Sequence, residues 1–215
     1  MIRFVKGCQI PNSERLKEEY KIYGNWIIAN VNADKILKVI YDFVDRQEDN
    51  SYLFLFLEVP CKLEEEKKIQ KTKGNNVEHF HKNVYYRDGI PKKSIKEILE
   101  PISDILIQDG LVTFGVGNHI TKDEIGKYKY NEIKLFFESS MKDYDKIFED
   151  NSIPINDERV SPWDLINPNN HGTCDAYTDE NGKTIYDVIE NLSTSDMFYK
   201  AEIRNEDSEV VKIEE

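Results

Sequence analysis

Tyr52-Leu53-Phe54-Leu55-Phe56-Leu57-Glu58-Val59 contains the longest apolar run of the chain, Leu53 to Leu57. Side chains of a strand alternate between its two faces. A segment apolar at both sets of positions therefore predicts a central strand covered on two sides, stopped here by Pro60. Upstream, residues 25–31 read as a strand. Asn32 caps a helix over 33–46, whose Ile36, Val39, Ile40, Phe43 and Val44 fall on one face. Further upstream, Asn12 and Ser13 predict the cap of a short helix reaching residue 20.

Downstream, residues 61–76 are dominated by Lys and Glu and read as a solvated helix or a loop. Residues 82–87 predict a strand stopped by Asp88-Gly89. Residues 91–108 predict a helix that kinks or divides at Pro101, because the ring removes a backbone donor and crowds the preceding turn. Strands are predicted over 111–116 and 130–138, then a short acidic helix over 141–150. Ser161-Pro162-Trp163-Asp164 and Thr184 with Asp187 are capping boxes, the second opening a helix to residue 192. A last strand is predicted over 198–203. The sum is an α+β fold: a mixed β-sheet of about five to six strands with helices packed on it, in a single domain over 1–205. Residues 206–215 are expected to form a disordered acidic tail.

No span reaches the 18 or so apolar residues of a membrane helix, and the N-terminus lacks the pattern of a secretion signal. The three cysteines, Cys8, Cys61 and Cys174, are odd in number and widely spaced, which points to a reducing, cytoplasmic setting. Charge is uneven along the chain. Residues 1–140 carry 22 basic and 22 acidic side chains, and residues 141–215 carry 7 and 19, so the formal net charge of −12 falls in the last third. That balance argues against nucleic acid and anionic membranes as partners and is compatible with a basic protein.

Candidate sites follow from residue chemistry. Gly115-Val116-Gly117 lacks the third glycine and the helix of a dinucleotide loop and reads as room at a strand end. His79 and His81 share one face of an extended segment, and His171 with Cys174 offers a second pair, so a metal site or a Cys/His nucleophile is an alternative, as is a nucleophile at Cys61. Glu58, Glu138 and Asp164 are carboxylates available for acid–base work. None of these matches a known catalytic signature, and neither a metal nor a cofactor is expected. Aromatic pairs on the strands, such as Tyr85-Tyr86 and Phe136-Phe137, read as core. The acidic tract, Asp143, Asp145, Glu149, Asp150, Asp157, Glu158, Asp164, Asp175, Asp179 and Glu180, surrounds Trp163 and Tyr177, residue types that anchor interfaces. If folded onto one surface, it would steer a basic partner.

Ser161-Pro162-Trp163-Asp164, then His171-Gly172-Thr173-Cys174, then the run from Gly182 to Leu192 resemble segments of small bacterial proteins of the polymorphic-toxin immunity type. The resemblance covers residues 110–200 or so and carries over no functional residue. It implies a non-catalytic inhibitor whose acidic surface occupies the cationic cleft of a toxin domain. The remaining alternative is a structural subunit of a larger complex.

Overall fold

The computed structural model of the chain describes residues 2–73, 81–138, 143–194, 199–204 and 210. In order these form β1 (Cys8–Gln9), β2 (Glu19–Tyr23), β3 (Trp26–Asn30), α1 (Ile36–Asp45), β4 (Tyr52–Pro60), α2 (Leu63–Lys73), β5 (Lys82–Pro91), α3 (Lys92–Leu99), α4 (Ser103–Gln108), β6 (Thr113–Asn118), β7 (Asp123–Lys127), β8 (Glu132–Phe136), α5 (Asp145–Asp150), β9 (Thr173–Cys174), α6 (Ile185–Thr194) and β10 (Tyr199–Arg204). The fold is α+β. Its main sheet has eight strands in the order β10-β5-β4-β6-β7-β8-β3-β2, and β1 pairs separately with β9.

Every neighbouring pair in the main sheet is antiparallel, so the expectation of a mixed sheet of five or six strands is corrected on both counts. Two of the additional strands explain themselves. The segment read as a short helix reaching residue 20 forms only a single 3-10 turn at Ser13–Arg15, and β2 begins at its end, at Glu19. Pairing with β3 in a tight hairpin through Gly24, at φ 56°, overrides the local capping signal. β7 has a lone large apolar residue, Ile125, and places a lysine inward, which hides it from an alternation search. β5 also runs past Asp88-Gly89 to Pro91, absorbing the glycine at φ 68° beside a register shift. The helix predicted over 91–108 does divide at Pro101, into α3, a 3-10 turn and α4. The tail, apart from Val210, lies outside the described residues.

The helices lie on one face of the sheet. Leu53, Leu55 and Leu57 of β4, Phe114 and Val116 of β6, Ile125 of β7 and Leu135 of β8 point there and merge with the apolar stripe of α1 and with Ile95, Leu106, Ile147, Phe148 and Val188 in a single buried cluster. A polar chain also crosses this side: Asn118 donates to Gln47 (3.1 Å), Gln47 to the Tyr144 hydroxyl (3.1 Å), and Tyr144 to Asp123 (2.7 Å). It locks the start of α5 to α1 and β7.

The second covering expected for β4 is not a layer of helices. Phe54 is paired with Gly117 and Phe56 with Gly115, and each ring lies over its glycine so closely that a Cβ there would collide with it. The glycines thus let the aromatic rings lie flat along the sheet. Among the described residues this face carries no α-helix, and a groove runs across it.

Candidate functional site

Directly paired strand residues share a face, so the pairing register defines the groove. Phe54, Phe56 and Glu58 of β4 stand beside Tyr86 and Val84 of β5 and beside the glycines of β6. Glu124 of β7 pairs with Gly117 on one side and Phe136 on the other, and Phe136 pairs with Trp26. Apart from the glycines, these residues, with His119 and Tyr128, line a cavity of about 520 Å³. Its walls are packed rings: Phe54 stacks on Tyr86 (5.3 Å between centroids) and on His119 (4.5 Å), and Trp26 meets Phe136 at 5.0 Å. Volumes of this size, apolar with a few convergent polar groups, are typical of binding sites.

Charge in this cavity is largely committed. Arg204 contacts Glu58 at 3.3 Å and Glu202, while Lys82 contacts Glu58 at 3.1 Å. Lys122 pairs with Glu138, and His119 sits 3.3 Å from Asp88 and 2.5 Å from the Tyr86 hydroxyl. Glu124 differs: its carboxylate has no hydrogen-bond or ion-pair partner among the described residues. Burial, followed by the charge of Glu58, pushes its pKa up from the usual carboxylate value.

Glu58, Tyr128 and Arg204 also border a second cavity of about 570 Å³, so the groove continues across the sheet. Here Lys129, Lys134, Glu132, Trp163 and Cys174 line it. The wall is built by the segment after α5, which crosses β2, β3 and β8. Asn30 donates to the Val160 carbonyl, and Arg159 binds both Asn30 and Glu132, the latter at 2.9 Å. Glu132 also accepts from the Trp163 ring nitrogen (3.1 Å) and the Ser161 hydroxyl (3.3 Å). The predicted capping box at Ser161–Asp164 forms and opens the 3-10 turn that carries Trp163. Tyr130, held at φ 58°, presents its ring edge-on to Trp163 at 5.1 Å.

The acidic tract is dispersed into three neighbourhoods. Asp143, Asp145, Glu149 and Asp150 lie at α5 on the helix side, where Asp143 pairs with Lys146 and Asp150 with Arg46. Asp157, Glu158, Trp163 and Asp164 lie on the segment bordering the groove, with Asp164 receiving the Ser161 backbone N–H. Asp175, Tyr177, Asp179 and Glu180 follow β9. There Tyr177 contacts Lys6 and Asp104, and Asp179 accepts from the backbone of a turn, which holds its carboxyl below the usual range.

The catalytic alternatives do not assemble among the described residues. His79 lies outside them. His81 is buried, with its backbone N–H and its ring Nδ1 both on Glu66 (2.6 and 2.8 Å). His171 is exposed, while Cys174 faces Cys8. Cys61 rests against Asn83, and burial, reinforced by Glu65 and Glu66, pushes its thiol up to about 12. Among the described residues no group of three His, Cys, Asp or Glu is placed to hold a metal ion, and no helix is long and apolar enough to cross a membrane. Of the three candidate carboxylates, Glu58 alone lies in the groove. Its companion there is Glu124, which sequence reasoning missed because β7 itself was missed.

Comparison with protein-family models, with curated proteins and with solved structures returns no match.

Proposed function

We propose that this chain is a non-catalytic binding protein for a basic protein partner, and that a lysine or arginine side chain of the partner enters the aromatic half of the groove to meet Glu124. In the immunity reading that partner is a toxin domain. The observation that carries the proposal is a half-buried carboxylate with no hydrogen-bond or ion-pair partner among the described residues, set in a cavity that the rings of Trp26, Phe54, Phe56, Tyr86, Tyr128 and Phe136 also line. Aromatic faces attract a cation through their quadrupole, and a desolvated carboxylate gives it a counter-charge. The exposed Asp157 and Glu158 beside the groove, and the net charge of −12, steer a basic surface toward it.

The direct probes are N-acetyl-arginine amide and N-acetyl-lysine amide, titrated against the fluorescence of Trp26 in a Trp163→Phe background. Saturable quenching is expected, with binding roughly tenfold or more weaker in Glu124→Gln. Because the Glu124 pKa is raised, affinity is expected to fall with pH as this carboxylate takes up its proton. Affinity unchanged by Glu124→Gln would sink the proposal. Capture of partners from the source cells, with Glu124→Gln as the control bait, then identifies the protein whose binding depends on this site.

A further inference from the structure

Cys8 and Cys174 are brought together from opposite ends of the chain by the β1–β9 ribbon, where they are directly paired. The ribbon is pinned on both sides. Asp175 N–H donates to the Gly7 carbonyl (2.8 Å), Gly110 N–H to the Asp175 carbonyl (3.0 Å), and Gly7 N–H to the Gln108 carbonyl (2.9 Å). Gly7 and Gly110 have no room for a Cβ, so three backbone segments meet at this point. The bond between Asp175 and Gly7 makes Cys8 and Cys174 the non-hydrogen-bonded pair of the ladder, the position at which opposed side chains come closest. Their sulfurs are 3.6 Å apart.

The two thiols are not equivalent. Cys8 is buried, whereas Cys174 is half-buried and lines the second cavity. The Cys8 thiol, then the Tyr130 hydroxyl, bonds to Cys174 and lowers its pKa, with Lys129 and Lys127 adding positive charge nearby; Cys8 is shifted the opposite way by its bond to Cys174 and by burial. This arrangement separates a reactive sulfur reachable from solvent from a second thiol held behind it.

We propose that Cys8 and Cys174 form an oxidative modification site, in which hydrogen peroxide entering the second cavity converts the pair to a disulfide joining β1 to β9. The Cys174 thiolate attacks one peroxide oxygen, and the O–O bond breaks. The other oxygen leaves as hydroxide and takes up a proton to become water, while Cys174 becomes a sulfenic acid. The Cys8 sulfur then attacks the Cys174 sulfur, the S–O bond breaks, and the hydroxide released combines with the proton lost from Cys8. Overall two thiols and one peroxide give one disulfide and two waters. Closing the bond needs the sulfurs to approach to about 2.05 Å, a small movement from their present separation at a directly opposed strand pair.

The test uses the full chain, reduced, freed of reductant and treated with hydrogen peroxide, then alkylated under denaturing conditions and measured by intact mass and peptide mapping. Loss of two hydrogens is expected, with one cross-link between the Cys8 and Cys174 peptides, reversal by dithiothreitol, and Cys61 still alkylated. Cys8→Ser is expected to stop at a sulfenic acid on Cys174, trapped by dimedone, and Cys174→Ser to leave Cys8 unmodified. Three alkylatable thiols after peroxide, a disulfide that engages Cys61 or a second chain, or over-oxidation of Cys174 without a cross-link would each overturn the proposal, and none of these readings on the wild-type chain depends on a variant folding.

Discussion

Glu132 gathers the Arg159 guanidinium, the Ser161 hydroxyl and the Trp163 ring nitrogen at one almost fully buried carboxylate. Removing one member of a buried ion pair leaves the other uncompensated. Glu132→Ala is therefore expected to lose about 3–5 kcal/mol in urea unfolding, and Trp163→Phe about 1 kcal/mol, as for a single lost hydrogen bond. Lys127 poses a different problem. It is fully buried, donating to the carbonyls of Asp109 and Val112, and desolvation lowers its pKa from 10.5 to about 8. A depressed folded-state pKa means that the unfolded chain binds the extra proton in the interval between the two values, so this group's contribution to stability rises with pH there. Between pH 8 and pH 10 the gain is about 2 kcal/mol. It should appear as the difference in pH slope between wild type and Lys127→Met. Neither role was legible from sequence, since a lysine or a glutamate in a charged stretch reads as solvated until the chain closes around it.

At the scale of elements, the aromatic floor depends on glycine. Gly117→Ala places a Cβ against the Phe54 ring, and overpacking of this kind costs about 1–3 kcal/mol. The same substitution combined with Phe54→Leu is expected to recover part of the loss, which thermal unfolding of the single and double variants would measure. Where local chemistry agrees with packing, sequence patterns located the elements: α1 through its apolar stripe, the division at Pro101, the capping box at Ser161, and the start of α6, where the Asp187 carboxylate accepts from the Thr184 backbone N–H. β2 and β7 were missed because their pairing partners, not their own residues, make them strands. The inward Lys127 of β7 has its charge satisfied by carbonyls contributed by the α4–β6 connection.

For the whole molecule, the uneven charge has a narrower meaning than the linear count suggests. Asp143 and Asp150 are already paired with cations, and their helix lies on the face opposite the groove, while Asp157 and Glu158 are exposed beside it. Once a basic partner is in hand, Asp157→Asn with Glu158→Gln is expected to slow its association several-fold at low salt, with the effect fading as ionic strength rises. Asp143→Asn with Asp150→Asn should change that rate less. Stopped-flow measurement at two salt concentrations compares the two variants, and equal effects would remove the preference for the groove side.

Composition and periodicity determine the α+β class, the central place of β4 and the register of the α1 stripe, because those depend on interactions within a few residues of one another. The antiparallel order of eight strands, the groove on the face opposite the α-helices, the placement of Glu124 beside Glu58 and the meeting of Cys8 with Cys174 arise from contacts across the length of the chain. Residues 8 and 174 or 58 and 124 carry no mark of each other in the linear pattern. Hydrogen-bond pairing between distant strands, and the volume available beside each glycine, set which side chains share a face.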